Sequence, residues 1–560
     1  MAACSLLFLV AAISQGAPGA LPREWVVKEV IPPRETSSGH DVDWRSASLL
    51  GDHDRDGLPE FVVQGAEFGH STAGWFRARV SESLHFDSFA HQSWSFQGPA
   101  QGHLSNFIAG PLSALLATPG GRQLAVMNGL EPQSIEFYAL PARQLTGAFV
   151  GDGGLAFRPA GDIDGDGWDD LYALYSVYLG DLEIRAISGR DYSVIWEVTD
   201  NFGYAFQMPV EAGAGMPADL DGDGIGEQLN MNLLKSPQGS VLEWSVTARS
   251  GADGSQVWSQ NGVPAAIVGA IGGYFLATGL DVTDDGVADC VAVVRNRVLG
   301  LDGSDGSQLW ERPLADLAPL LPQPGVQIPE LWSRPFLSRS PASAGEYDLV
   351  LFIRELDPVV PWTSVVAVYQ LDASDGTIRG RSELPGDLQP FNGAALAPAG
   401  SVPVAMPLGD LDRDGFGEFA LRSNWLGRDR GAMAILGPRT LHGPGQVTLV
   451  QPAVFDVHLP TAASRPCVLL ASSAFDRSGG KRFGTWRTLL QTPDPLLDYA
   501  TAQLPWIGQL DGDGRLGIQL TLPQQPALVG ATLWLRAVVP QAQGTGVYTQ
   551  STLASVEVLP

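Results

Sequence analysis

The sequence predicts an all-β protein in which a four-stranded unit repeats around a ring and a smaller β-domain follows. Three observations lead there. A short acidic loop recurs five times along the 560 residues. An apolar strand and then a tight hairpin follow the loops in the same phase. Glycine (66) and proline (41) are abundant, which favours turns and short strands over long helices.

The loop is clearest at Asp162-Ile163-Asp164-Gly165-Asp166-Gly167-Trp168-Asp169-Asp170. Acids stand at positions 1, 3, 5 and 9, and a glycine at position 6 permits a sharp turn. Hard Ca²⁺ takes six to eight oxygen ligands, which such a loop can supply from carboxylates and the backbone carbonyl at position 7. The five candidate ligand sets are Asp52, Asp54, Asp56, Glu60; Asp162, Asp164, Asp166, Asp170; Asp219, Asp221, Asp223, Glu227; Asp281, Thr283, Asp285, Asp289; and Asp410, Asp412, Asp414, Glu418. Thr283 replaces an aspartate, so the Asp281 site is expected to be the weaker one, because ligand charge tunes affinity. An EF-hand needs an acid at position 12 and a helix after it. Position 12 here is Val63, Ala173, Asn230, Ala292 or Leu421, and β-rich runs follow, so that reading fails.

Successive loops lie either about one period of roughly 60 residues apart or about two. Each double gap holds a degenerate copy, at Thr118–Val126 and at Gly345–Ile353, which makes seven units. Apolar strands follow the loops at Glu60–Val63, Asp170–Leu174, Asp289–Val294 and Glu418–Leu421. Hairpins follow at Ile187–Trp196, Arg249–Trp258, Leu301–Trp310 and Leu371–Ile378, most with an Asp-Gly turn. Trp196, Trp258 and Trp310 recur in repeat phase and read as blade packing. Seven four-stranded units of this length predict a seven-bladed β-propeller with Ca²⁺-binding Asp-rich loops, since closing the ring shields the strand edges. We place it at 25–445, with Trp25–Val30 completing the last blade. Beyond it, 446–560 reads as a small C-terminal β-sandwich, in which Gln509–Gly517 is a turn.

The loops and flanking strands resemble the FG-GAP repeats of integrin α-subunit propellers and of many secreted bacterial proteins. Phe202-Gly203 and Gly213-Ala214-Gly215-Met216-Pro217 before the Asp219 loop carry the name's two halves. The C-terminal part resembles a β-sandwich module of secreted bacterial proteins, on Leu510–Gly514, Leu522-Pro523 and Pro526–Gly530. The resemblance implies a propeller, bound Ca²⁺ and loops on the face opposite the usual ligand face. It implies no particular partner.

The first twenty residues, with the apolar run Leu6–Ile13, read as a signal peptide, and no later stretch is apolar enough for a transmembrane helix. A secreted, extracellular or cell-surface location is therefore expected. The net charge of −27 disfavours nucleic acid and anionic membranes as partners, and none is expected. Cys290 and Cys467 lie far apart in apolar runs and read as buried free thiols. There is no Gly-x-Ser-x-Gly elbow, no His-Glu-x-x-His and no P-loop. The expected function is a non-enzymatic binding or adhesion module for an extracellular protein or glycan. The alternative is a secreted carbohydrate-active enzyme or lectin-like protein, for which Trp75, Trp94, Trp332, Trp362 and Trp425 are out of repeat phase and available to stack on sugars.

Overall fold

A computed structural model describes the strands and the turns between them from Trp25 to Pro560. Residues 1–24, 52–59, 98–112, 202–217, 263–273, 384–404, 423–432 and most of 474–506, with some shorter connections, lie outside the described residues. The signal-peptide reading, the acids Asp52, Asp54, Asp56 and Asp412, the Phe202-Gly203 and Gly213–Pro217 motifs, and Trp332, Trp362 and Trp425 fall on them. The chain divides into two compact units. One comprises Arg23–Leu411 with Gly417–Gly437, and the other is built on Pro438–Pro560 with Asp412–Phe416.

The first unit is a β-propeller of seven antiparallel sheets in chain order. Blade 1 holds Arg34–Glu35, Asp41–Gly51, Glu60–Ser71, Gly74–His85 and Ser88–Gln97. Blade 2 holds Ser113–Thr118, Gly121–Asn128, Ser134–Leu140 and Gln144–Val150. Blade 3 holds Gly154–Gly161, Asp170–Val177, Asp181–Ile187 and Val194–Asn201. Blade 4 shows Gln228–Lys235, Val241–Arg249 and Gln256–Gly262. Blade 5 holds Tyr274–Leu280, Asp289–Val294, Arg297–Leu301 and Gln308–Pro313. Blade 6 holds Gln327–Leu331, Phe336–Arg339, Tyr347–Leu356, Ser364–Asp372 and Ile378–Glu383. In blade 7, Ala405–Gly409, Glu418–Arg422 and Met433–Pro438 are completed by Trp25–Ile31 from the start of the chain.

The ring follows from how the blades meet. Asp41–Gly51 touches Ser113–Thr118 of blade 2, which touches Gly154–Gly161 of blade 3. Tyr274–Leu280 touches Phe336–Arg339 of blade 6, and Ala405–Gly409 of blade 7 returns to Asp41–Gly51. The apolar cores therefore lie between blades. One joins Leu116, Phe137 and Phe149 to Phe157 and Leu171 across the 2/3 seam. Others join Tyr172 and Trp196 to Ile225, Leu229 and Trp258 to Cys290, and Trp310 to Tyr369. Both degenerate repeats form blades. In blade 2 the metal-type loop has shrunk to a tight turn in which Thr118 pairs with Gly121.

The second unit is also all-β. A three-stranded sheet joins Leu441–His442, Ala453–His458 and Arg515–Leu520. A larger sheet joins Gln446–Thr448, Ala554–Leu559, Thr532–Pro540, Pro466–Ser472 and Ile507–Gln509. Asp511 forms the expected turn before Arg515: its Oδ1 accepts the N–H groups of Asp513 and Arg515 at 2.9 and 2.8 Å. Phe416 and His458 meet edge to face at 5.2 Å in this unit. Cys290 and Cys467, one in each unit, are buried free thiols.

Candidate metal centres

The Asp162, Asp281 and Asp410 loops each connect the first described strand of their blade to the next, the Asp219 loop leads into Gln228–Lys235, and the chain's own hydrogen bonds fold them. The position-1 acid gathers amides from the far side of the turn. Asp162 accepts Asp166 N–H at 3.0 Å and Gly167 N–H at 2.9 Å. Asp219 accepts Gly222 N–H at 2.7 Å and Gly224 N–H at 3.0 Å, and Asp281 accepts Asp285 and Gly286 N–H at 3.2 and 2.8 Å. The position-5 acid accepts the N–H two residues on, as Asp166, Asp223, Asp285 and Asp414 all do. These Asx-type turns explain why aspartate, not the longer glutamate, fills positions 1 and 5.

Left-handed backbone occurs twice in the loop. Position 6 is left-handed at Gly167, Gly224, Gly286 and Gly415, as the motif requires. Position 4 is left-handed too, at Gly165 and Gly222, and at Asp284 with φ 63° in the Asp281 loop. Sequence reasoning gave position 4 no role, although its glycines stand in phase. An aspartate there is tolerated at a cost of about 1 kcal/mol or more.

Position 9 is where the geometry adds most. Asp170 is fully buried; one oxygen accepts Ile163 N–H at 2.7 Å and the other Gly189 N–H at 2.9 Å. Glu227 accepts Leu220 N–H and, at 3.5 Å, Gly251 N–H. Asp289 accepts Val282 and Thr283 N–H at 2.8 and 3.0 Å and Gly303 N–H at 2.9 Å. Glu418 accepts Leu411 N–H at 2.6 Å. Asp170, Glu227 and Asp289 thus clamp their loops to the hairpin turn of their own blade. Glu60 opens the Glu60–Ser71 strand at the same register, paired with Gly51.

In two loops the acids converge. Oxygens of Asp162, Asp164 and Asp170 lie within 4.8 Å of one another, as do those of Asp219, Asp221 and Glu227. Asp166 and Asp223 stand outside these groupings, and among the described residues the Asp281 and Asp410 loops form no such group. The donors are all carboxylate oxygens, the chemistry of a hard divalent cation. Burial, with Asp164 adding repulsion, pushes Asp170 up to about 7. Burial likewise raises Glu227 to about 7, with Asp221 adding to it. Burial raises Asp289 as well. A bound cation relieves both penalties, since opposite charge favours the ionised form. Each carboxylate oxygen that accepts one amide retains a lone pair for a metal. The residues of the Asp162 and Asp219 loops therefore fit a hard divalent metal ion.

The repeat-phase tryptophans have a directional role that the sequence left open. Trp196 of blade 3 donates its indole N–H to the Gly251 carbonyl of blade 4 at 2.7 Å. Trp258 of blade 4 does the same to Gly303 of blade 5 at 2.7 Å, and Trp310 of blade 5 to Ala373 of blade 6 at 3.1 Å. Each ring lies against a left-handed turn glycine, where a Cβ on Gly254, Gly306 or Gly376 would fall 2.7, 2.5 or 2.6 Å from the indole Cε3. At the 2/3 seam the partners are exchanged. Gly147 takes the tryptophan's register position and Tyr192, with φ 64°, the glycine's. Tyr192 fills the space by packing on Phe137 at 4.5 Å. Trp75 and Trp94 lie in blade 1 strands.

No family model matches the chain, and no curated protein matches it. Among solved structures it is similar to rhamnogalacturonan lyase YesW, at 14% identity over 74% of this chain and 76% of that one, TM-score 0.35. It is similar to BBS1N in complex with ARL6DN, at 10% identity over 74% and 97%, TM-score 0.38. It is also similar to Saccharomyces cerevisiae Sqt1, at 11% identity over 59% and 96%, TM-score 0.26. Superpositions this loose carry no functional argument. Among the described residues no helix is long and apolar enough to cross a membrane.

Proposed function

We propose that this chain is an exported, Ca²⁺-stabilised propeller of the FG-GAP type that acts as a non-enzymatic binding or adhesion module. The observation that carries the reading is the pair of three-carboxylate clusters at one place in successive blades. Ca²⁺ occupies the Asp162 and Asp219 loops, and the Asp52, Asp281 and Asp410 loops are further sites, the Asp281 one weaker. The ions serve the scaffold: the ninth acids Asp170, Glu227, Asp289 and Glu418 are buried, and binding free energy becomes folding free energy. The partner is an extracellular protein or glycan met by another surface of the propeller.

Two assays test this reading. The first is binding of the purified chain to a panel of extracellular proteins and to a glycan array, with Ca²⁺ and with chelator. Calcium-dependent retention of a protein or glycan supports a binding module. Hydrolysis or elimination of a bound polysaccharide contradicts the non-enzymatic assignment. The second is localisation of a tagged full-length chain: retention inside the cell contradicts export.

A further inference from the structure

Three seams share one bond, but their acceptors sit in different surroundings. Gly251 accepts from Trp196 through its carbonyl, and its N–H is directed to Glu227 of the Asp219 loop. Gly303 accepts from Trp258, and its N–H bonds Asp289 of the Asp281 loop at 2.9 Å. Both glycines also lie directly on their loop. A Cβ on Gly251 would fall 2.7 Å from the Gly226 carbonyl oxygen, and one on Gly303 2.8 Å from the Ala288 carbonyl carbon. The loop, the glycine and the preceding blade's indole are thus in continuous contact. The Asp219 loop is held from blade 3 a second time, by the Tyr172 hydroxyl donating to the Gly226 carbonyl at 2.6 Å.

Blade 6 is built differently. The acid at the same register is Asp348, which faces Asp372 across the strands. It is buried and bridged at 3.2 Å by Arg379, which also pairs with Asp372. A guanidinium from the blade itself supplies the positive charge there. The turn residue is Ala373, whose N–H goes to the Tyr347 carbonyl at 3.1 Å and not to a loop acid.

We infer that Trp196 and Trp258 are positioning residues for the metal loops of the following blades, and that Trp310, which makes the same kind of indole bond, is not. This rests on the Ca²⁺ reading above. Holding the glycine fixes the buried acid that closes the loop, so ion binding in one blade and docking of the blade before it are coupled free energies.

The test is calcium equilibrium dialysis of the full chain over a range of free Ca²⁺, on wild type, Trp196→Phe, Trp258→Phe, Trp310→Phe and Tyr172→Phe. Trp196→Phe is expected to move one ion's share of the isotherm to higher free Ca²⁺ by about fivefold or more, the lower end of measured couplings. Trp258→Phe should move a different ion by a similar factor. Trp310→Phe should overlay wild type although it removes the same indole bond. Tyr172→Phe, which removes one hydroxyl and leaves the ring in place, should move the same ion as Trp196→Phe. Equal shifts in all three tryptophan variants, or none in any, overturn the coupling while leaving the Ca²⁺ sites standing. A wild-type chain that binds no calcium overturns both.

Discussion

The glycine at the hairpin turn gives the sharpest stability prediction. Gly303 is not in the left-handed region, so its need for a hydrogen side chain is one of space alone. A Cβ there would fall 2.8 Å from the Ala288 carbonyl carbon and nearer still to its oxygen, which is backbone and cannot swing aside. Gly303→Ala must push the turn off the loop. That strains the 2.9 Å bond to buried Asp289 and the 2.7 Å bond from Trp258. Overpacking costs about 1–3 kcal/mol, and a buried partner left short of its bond about 1–3 kcal/mol more. We therefore expect a loss of roughly 2–6 kcal/mol, read as a lower urea midpoint by far-ultraviolet ellipticity. Ala373, in the corresponding turn of blade 6, is the control: Ala373→Gly should cost about 1 kcal/mol or less, the ordinary entropy of a glycine. A Gly303→Ala protein within about 0.5 kcal/mol of wild type would refute the claim that the glycine is trapped between loop and indole.

The exchange at the 2/3 seam predicts strong non-additivity. A Cβ on Gly147 would fall 2.8 Å from Tyr192 Cζ, so Gly147→Trp alone should be disruptive. Tyr192→Gly alone should cost roughly 2–3 kcal/mol, since the cavity it leaves outweighs the relief of the φ 64° backbone. The double variant restores the arrangement of the other seams and should be more stable than the sum of the two changes by at least about 2 kcal/mol, whereas simple additivity in a urea double-mutant cycle would be evidence against the exchange. His458 predicts a pH dependence for the second unit. Burial, with Arg515 adding to it, holds the imidazole down at about 4, below its ordinary 6.5. The unfolded chain then binds the proton first, so stability is full above about 6.5 and declines as pH falls towards about 4. The loss is roughly 3 kcal/mol at most. Urea midpoints measured across that window should show it in wild type and lose much of it in His458→Gln; equal slopes would contradict the assignment.

The parts of this fold that were legible are those written within one repeat. Asp162 to Asp170 carries its own turn chemistry, and the apolar strand and hairpin that follow sit in fixed phase. The seams were not legible, because their partners come from different repeats. Nothing local in Trp196 points to Gly251, although the contrast of Gly251 and Gly303 with Ala373 tracks the intact and degenerate loops. Gly147 and Tyr192 hid their seam by exchanging both halves of its signal at once. Arg379 was silent for a similar reason: a degenerate loop reads as an absence, yet Asp348 keeps the ninth acid's place and takes an arginine in place of a metal-type loop. The ninth acids were read as ligands from spacing. That they also clamp loop to hairpin depends on amides of Ile163 and Gly189, which only the folded blade brings together.

The most direct test of the central claim is calcium content and thermal melting of the purified chain, measured together. A native-only site at a free Ca²⁺ about a hundredfold above its dissociation constant adds roughly 2.7 kcal/mol. The acid clusters predict calcium in the dialysed protein, at the Asp162 and Asp219 loops at least, and a melting temperature that falls on adding EDTA and returns with excess Ca²⁺. A chain that contains no calcium by elemental analysis, and melts at the same temperature in EDTA and in Ca²⁺, would contradict the reading of these loops as metal centres.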